Sequence, residues 1–260
     1  MNLDSFGAII KSALVAGLVA GLFVAAVQFV WTEPVVDSAI TLEEQRHAAE
    51  NAHAAAAAAP AAEAPPVVDR PTQKKGLFLG YTIYGLAWGL LFGAAYTLAQ
   101  PFLPVNGRLG RGLLLAASAF WAVALLPFLK YPANPPGVGD PDTIDFRQHV
   151  YLGMLVGGVV VAALALTTYR KISSARGSGL GAVVGLGMAA AGSVALFVGL
   201  PQNPDVVRMP MALVMEFRVH SVVGLGLFWL VLGAVFGPVL GWLVGGEARQ
   251  AGILSRSASV

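Results

Sequence analysis

Cysteine is absent from this 260-residue chain, and charged residues make up only 12% of it. The lack of cysteine excludes disulfides, thiolate nucleophiles and iron–sulfur ligation, so any metal ligand must be nitrogen or oxygen. No segment fits the phosphate-binding pattern G-x-x-x-x-G-K-[ST], which argues against ATP hydrolysis. No serine or aspartate stands beside a histidine in a hydrolytic pattern. We therefore predict that the chain is not an enzyme and has no nucleic-acid partner.

What replaces charge is a set of long apolar runs. Hydrophobic residues make up 57% of the chain and glycine contributes 31 residues, a composition typical of membrane proteins. Roughly 20 apolar residues cross the ~30 Å hydrocarbon core as a helix. Between their boundary residues the runs contain no acidic or basic side chain, so no buried proton relay is evident. We predict six transmembrane helices, at about 10–31, 77–99, 111–129, 149–169, 179–200 and 219–244.

The fold class that follows is an all-α integral membrane protein with a single membrane domain, residues 1–260. Basic residues are dense in the short connections between spans 2 and 3 and between spans 4 and 5, most clearly at Arg170 and Lys171. Because cytoplasmic connections carry an excess of Lys and Arg, we expect both termini to be cytoplasmic. All four histidines then lie on the outer side.

The connection from 33 to 74 is low in complexity, with six consecutive alanines followed by several prolines. We predict an outward loop that begins as a frayed helix and continues as an extended tether. On a helix, Glu43 lies one turn from His47 and Glu50 lies one turn from His53, so each pair could bind a metal. A solvated linker without any ligand is the simpler alternative.

Small residues recur at every fourth position in four of the predicted spans. Such rows let helix backbones approach closely, which favours association of helices in lipid. The alternative is that the second span lines a narrow path with Tyr81, Thr82 and Tyr84. The rows are Ala13, Gly17, Gly21, Ala25; Gly85, Gly89, Gly93; Gly181, Gly185, Ala189, Ser193; and Gly233, Gly237, Gly241, Gly245.

Two connections share one polar motif, P-x-N-P followed by acid-F-R-x-H. The first copy runs from Pro132-Ala-Asn134-Pro135 to Asp145-Phe-Arg-Gln-His149, and the second from Pro201-Gln-Asn203-Pro204 to Glu216-Phe-Arg-Val-His220. Each copy stands between two apolar runs, and the two parts of the motif recur at nearly equal offsets. The sequence therefore predicts tandem helical hairpins, spans 3/4 and 5/6, each with a polar tip.

The acid and the histidine of each copy are four residues apart, so they share one face of a helix. We therefore predict an outward-facing capture site of imidazoles and carboxylates, a ligand set suited to divalent Co, Ni, Zn or Fe. Binding there must be weak enough to release the ion inward. The predicted metal ligands are Asp145, His149, Glu216, His220 and Glu33, with Asn134, Asn203, His47 and His53 as accessory residues.

A structural interpretation of the same motif stays open. Arg147 and Arg218 stand between the acid and the histidine of each copy. Each arginine could reach lipid phosphates or pair with the carboxylate of the other copy. Such a clamp would join the two tips without any metal.

Three stretches resemble the CbtA family of predicted cobalt transporter subunits: Trp31-Thr32-Glu33-Pro34, Lys130-Tyr131-Pro132-Ala133-Asn134-Pro135-Pro136 and Pro201-Gln202-Asn203-Pro204. The six-span pattern is also similar, and only the alanine-rich connection departs from it. The resemblance implies a multi-pass protein of the bacterial inner membrane that imports cobalt beside a small partner subunit with its own histidine motif.

From the residues and the resemblance together, we expect a permease subunit for divalent metal uptake, with cobalt favoured by the resemblance alone. No cofactor is expected to be bound permanently, and the metal is the transported ion. Membrane lipid is the expected surrounding, and a homo-oligomer is compatible with the sequence. Two other functions remain open: haem-binding electron transfer, because histidines on neighbouring helices can ligate one iron, and a scaffold that does not itself transport.

Overall fold

The computed structural model describes residues 4–55 and 68–257, with side chains described for 4–49, 52 and 68–246. The helices in chain order are α1 Phe6–Trp31, α2 Glu33–Ala55, α3 Arg70–Ala99, α4 Arg108–Ala119, α5 Leu126–Lys130, α6 Ile144–Arg176, α7 Ser178–Gly199 and α8 Met211–Ser257. A π-helical segment, Phe120–Leu125, joins α4 to α5, and a 3-10 turn, Pro141–Thr143, precedes α6.

Within the described ranges, six helical stretches are long and apolar enough to cross a membrane. They confirm the predicted all-α, multi-pass membrane protein. The stretches are Phe6–Trp31, Arg70–Ala99, Arg108–Lys130, Pro141–Arg176, Ser178–Gly199 and Met211–Gly246.

α1 and α8 lie at the centre of the bundle. α1 packs against both α3 and α8, and α8 also packs against α4. The crossing of α1 and α3 is so close that a Cβ atom on Gly17 would overlap the carbonyl oxygen of Gly85. The predicted small-residue rows of these two helices therefore serve close backbone contact, as lipid-embedded helices require.

The predicted hairpin of spans 5 and 6 does not close in the same way as that of spans 3 and 4. α7 packs on α6, and α6 packs on the π-helical segment, whereas α8 joins α1 and α4. Within the described part of the chain, α7 and α8 make no extensive contact. The non-helical connection at 200–210 is long enough to carry α8 away from α7.

The third span contains an irregularity that periodicity did not predict. Pro127 has no N–H, so it cannot donate the helical bond one turn back. The preceding residue, Leu126, donates instead to the carbonyl of Trp121, five residues earlier, which defines the π-helical turn. Gly158 of α6 packs directly against the carbonyl of Ala122 in this segment. The wider turn thus coincides with a close contact between spans 3 and 4.

α2 covers the tips of the bundle. Its Ala39 is fully buried and packs in a small apolar cluster with Met209 and Val214. The start of the 33–74 connection is therefore a docked helix, and α3 begins at Arg70, ahead of the predicted second span. The predicted extended tether falls on 56–67, which lie outside the described residues.

Candidate functional site

The two P-x-N-P tips meet at one end of the bundle, and each arginine reaches the other copy. Arg218 donates to the carbonyl oxygen of Ala133 at 3.3 Å and to Asn134 Oδ1 at 2.8 Å. Arg147 forms an ion pair with Asp205, with 3.1 Å between Nη1 and Oδ2. The partners lie in the opposite tip, and they are not the acids of the repeated motif. A reciprocal contact between the tips is the result.

Asp205 is the acceptor in the second half of this contact, and the repeated motif did not predict it. Its side chain is only 1% exposed and accepts a hydrogen bond from Thr143 Oγ1 at 2.6 Å. Its backbone N–H donates to Asn203 Oδ1 at 3.1 Å. The predicted accessory residues therefore accept hydrogen bonds from protein groups: Asn134 from Arg218, and Asn203 from the backbone of Asp205. Pro136 occupies the corresponding position of the first copy, so the comparison of copies gave no signal for an acid there.

Asp145 and His149 lie on an exposed face of the first turns of α6. His149 Nδ1 is 2.6 Å from the backbone carbonyl oxygen of Asp145. A carbonyl only accepts, so Nδ1 carries the proton and Nε2 presents the lone pair. The same arrangement is common among histidines that bind metals through Nε2.

His220 occupies a different environment. The residue is 8% exposed, and its ring stacks on Trp31 with 4.5 Å between centroids and 26° between planes. Its Nδ1 is buried and has no hydrogen-bond partner within the described part of the chain. Glu216, four residues before it on α8, is exposed. Of the predicted ligands whose side chains are described, only His220 has a buried polar atom without a hydrogen bond.

The predicted ligands do not assemble into one cluster. Among the side chains that the structure describes, no three His, Asp or Glu residues come together to hold a metal ion. A site built from both copies of the motif therefore stays a prediction. The residues concerned are Asp145, His149, Glu216 and His220.

Glu33 is occupied by another contact. It is 8% exposed, and its Oε2 accepts from Arg70 Nη2 at 2.6 Å. Arg70 also donates to Asp37 Oδ1 at 2.9 Å, and Lys74 donates to Asp37 Oδ2 at 2.6 Å. The hydrogen bond from Lys74, followed by that from Arg70, holds the pKa of the Asp37 carboxyl below its usual range. This network joins the start of α2 to the start of α3.

The two histidines of the long connection belong to α2. His47 Nε2 is 4.0 Å from Glu43 Oε1, as the four-residue spacing predicted, and the His47 side chain is 44% exposed. The side chain of His53 lies outside the described residues. Neighbouring Arg46 reaches the carbonyl of Gly137 at 3.5 Å, which brings α2 against the first tip.

A cavity of about 500 Å³ lies between α1, α3 and α8. Ser221 lines it and follows His220 directly in α8, and Gln28 lines it one turn before Trp31 in α1. The stacked His220–Trp31 pair is therefore close to the end of the cavity that is nearest the tips. The lining residues are Val24, Gln28, Leu77, Gly80, Tyr81, Tyr84, Ser221, Gly224, Leu225 and Phe228.

Two of the three polar residues suggested for a path in the second span line this cavity. Tyr81 and Tyr84 do so, whereas Thr82 is not among the lining residues. Gln28 was not predicted, because an uncharged amide does not interrupt an apolar run. An amide within the first apolar run was the available signal.

Comparison with known proteins gives one family. A family model described as "Probable cobalt transporter subunit (CbtA)" matches residues 6–241. The match takes in all of the membrane-spanning stretches apart from the last few residues of the sixth. No curated protein and no solved structure matches the chain.

Proposed function

The chain belongs to the CbtA family of probable cobalt transporter subunits, and from this premise we propose that it is the permease subunit of a divalent-metal uptake system. Family membership makes it a multi-pass membrane protein of a transporter and implies a partner subunit. The absence of cysteine excludes thiolate ligands, and the imidazole, carboxylate, amide and hydroxyl groups present suit Co²⁺ among several divalent ions. Cobalt as the cargo rests on the family.

One observation carries the proposal: among the described residues the buried Nδ1 of His220 has no hydrogen-bond partner, and His220 directly precedes Ser221, which lines the cavity. A buried polar atom without a hydrogen bond costs about 1–3 kcal/mol. A passing ion that coordinates this nitrogen removes that cost for as long as it is bound. His220 therefore receives the metal at the mouth of the cavity, through a lone pair of its imidazole.

The exposed residues of the motif act one step earlier. The carboxylates of Asp145 and Glu216 attract cations to the outer face by long-range electrostatics, an effect that added salt weakens. His149, with Nδ1 bound to a carbonyl, offers Nε2 as a weak ligand on the same face. These groups raise the local metal concentration without forming a closed cage, which keeps release fast.

Glu33 has a different role in this proposal from the one its position suggested. Its carboxylate is held by Arg70 at 2.6 Å, so its charge is already compensated. A paired carboxylate is a poor competitor for a metal unless the arginine moves. Glu33 therefore anchors α2 to α3 and does not ligate the cargo.

The density of Lys and Arg supports an outward position for the two tips and cytoplasmic termini, in a bacterial inner membrane. The partner is a small histidine-containing subunit, the type that the family resemblance implies. Imidazole exchange between the two subunits would pass the ion without a charged group inside the bilayer, consistent with spans that lack charge.

Cobalt uptake into cells that carry the whole transporter tests this function, with His220→Ala as the main variant. Loss of one ligand should lower uptake at sub-saturating cobalt roughly tenfold, the change that about 1.4 kcal/mol of binding free energy produces. Gln148→Ala is the control, because its side chain is exposed on α6 and is not a predicted ligand, and it should transport normally. If the His220→Ala variant is present at the wild-type level and takes up cobalt at the wild-type rate, the proposal is wrong.

A further inference from the structure

The cavity below His220 contains a buried amide that the outer capture step does not use. Gln28 is 7% exposed, and its Oε1 accepts from the hydroxyl of Thr32 at 2.7 Å. Its Nε2 donates a long hydrogen bond, at 3.5 Å, to the hydroxyl of Tyr81. A Cβ atom on Gly224 of α8 would come within 2.6 Å of that nitrogen, so glycine leaves space for the amide. The two hydrogen bonds offset the cost of burying the amide, and its carbonyl oxygen keeps a second lone pair.

The polar groups of the cavity come from three helices. Gln28 belongs to α1, Tyr81 to α3 and Ser221 to α8. The volume of about 500 Å³ has room for on the order of ten or more water molecules. None of the lining residues is charged. The cavity therefore has room for water and presents neutral oxygen groups, and its lining residue Ser221 directly follows His220.

Toward the other end of the bundle, aromatic rings fill the space between α3 and α8. Tyr84 contacts Phe228 with 5.0 Å between ring centroids, and Trp88 contacts Trp229 at 5.3 Å. Further along, Phe92 lies 5.1 Å from Phe236. This aromatic seam begins at the cavity residues Tyr84 and Phe228 and continues away from the tips.

We propose that the cavity is a transit site for a partly hydrated divalent cation, ligated by the Gln28 carbonyl oxygen and the Tyr81 and Ser221 hydroxyls. This inference rests on the proposed function and adds to it a second binding site inside the membrane. Retained water offsets much of the cost of placing a charge there. Neutral ligands bind the ion loosely, and weak binding at successive sites permits conduction.

A reporter thiol tests access and occupancy, because the chain has no cysteine of its own. Leu225→Cys places a thiol on the cavity wall at a position that is not a proposed ligand. A small charged methanethiosulfonate added outside should modify it, and Co²⁺ should slow the modification at least roughly fivefold at concentrations that saturate uptake. Val194→Cys on α7, where the side chain is 62% exposed on an apolar helix, should not react.

Variants of Gln28 supply a second measurement. Gln28→Leu keeps most of the volume and removes the oxygen, so the maximal uptake rate should fall about tenfold while the cobalt concentration at half-maximal rate changes little. Gln28→Glu adds a charge, so Co²⁺ should protect the reporter thiol at lower concentration while maximal uptake falls because the ion leaves slowly.

These experiments test the transit site and the outer capture step independently. If the thiol at 225 does not react, or reacts at a rate that cobalt does not alter, the transit site is overturned while the uptake result for His220→Ala still stands. Wild-type maximal uptake by Gln28→Leu overturns it as well. If instead His220→Ala transports normally, the outer capture step fails, whatever the thiol shows.

Discussion

Two aspartates near the tips differ in burial and therefore in their effect on stability. The side chain of Asp205 is 1% exposed and is held by Arg147 and Thr143, whereas Asp145 is exposed at the start of α6. The first is a buried ion-pair partner, whose removal leaves a cation without compensation. The second is a solvated carboxylate that contributes little to stability but adds to the field that attracts cations.

Asp205→Ala should lower the free energy of unfolding of the detergent-solubilised protein by about 1–3 kcal/mol, because Arg147 and Thr143 lose their acceptor. Thermal unfolding measures the change. Asp145→Ala is the matched control and should unfold like the wild type, while its cobalt uptake at low metal concentration and low salt should be reduced. Equal stability of the two variants would contradict the assignment of Asp205 to the reciprocal contact.

For single residues, the sequence indicated which side chains form contacts, but it did not identify their partners. The repeated motif correctly drew attention to Arg147 and Arg218, but their partners are Asp205 and the tip residues Ala133 and Asn134. An arginine side chain spans several positions, so sequence spacing leaves its partner open. The sequence likewise could not predict that His220 is buried against Trp31, because this contact depends on how α1 and α8 cross.

Among the helices, glycine decides how closely neighbours approach. Gly85 of α3 faces the carbonyl oxygen of Gly17 of α1, and an added Cβ would overlap it. Gly76, in the same helix, would place a Cβ in open space with nothing within 4 Å. Helix propensity favours alanine over glycine by up to about 1 kcal/mol at either position, so any difference between them reports packing alone.

Gly85→Ala should destabilise the protein by about 1–3 kcal/mol, the usual cost of overpacking, even though alanine favours helix. Gly76→Ala should be neutral or slightly stabilising. Thermal unfolding in detergent compares the two. If both changes raise stability, the close crossing of α1 and α3 is wrong.

The small-residue rows predicted close helix contact correctly where both helices carry a row, as α1 and α3 do. In α8 the row divides: Gly233 and Gly237 lie against α4, whereas Gly241 and Gly245 meet nothing within 4 Å. A row of small residues says that approach is sterically allowed, and it does not identify the neighbour. The π-helical turn at Phe120–Leu125 escaped prediction because Pro127 can break, kink or widen a helix.

For the molecule as a whole, the two ends differ in construction. At one end the tips are joined by arginine contacts and covered by α2. At the other, Asp4 near the start of the chain accepts two hydrogen bonds from Arg108, at 2.9 and 2.6 Å, and Arg170 lies over the ring of Phe102. The proposed orientation makes the first end the outer face, and labelling from outside the cell decides it.

Asp142→Cys and Ser174→Cys place single thiols at exposed positions of opposite ends. A membrane-impermeant maleimide added to intact cells should label the thiol at 142 and leave the thiol at 174 unlabelled until the cells are opened. The reverse pattern would put the histidines in the cytoplasm and reverse the direction of the proposed uptake path.

At this largest scale the sequence predicted the six spans, because apolar length is a property of each segment alone. It did not predict that α8 joins α1 and α4 while α7 stays with α6. The repeat suggested equal hairpins, yet helix association in lipid depends on shape complementarity between surfaces, which the order of segments does not specify.

The position of α8 against α1 and α4 also has a consequence for how the protein is made. Of the six described spans it is synthesised last, yet it supplies Arg218, His220 and one wall of the cavity. Until it inserts, the Gln28 side of α1 lacks that neighbour, and the first tip lacks its arginine. Earlier spans can enter the membrane one by one, but a translation arrest before Met211 would leave a chain that is anchored and inactive.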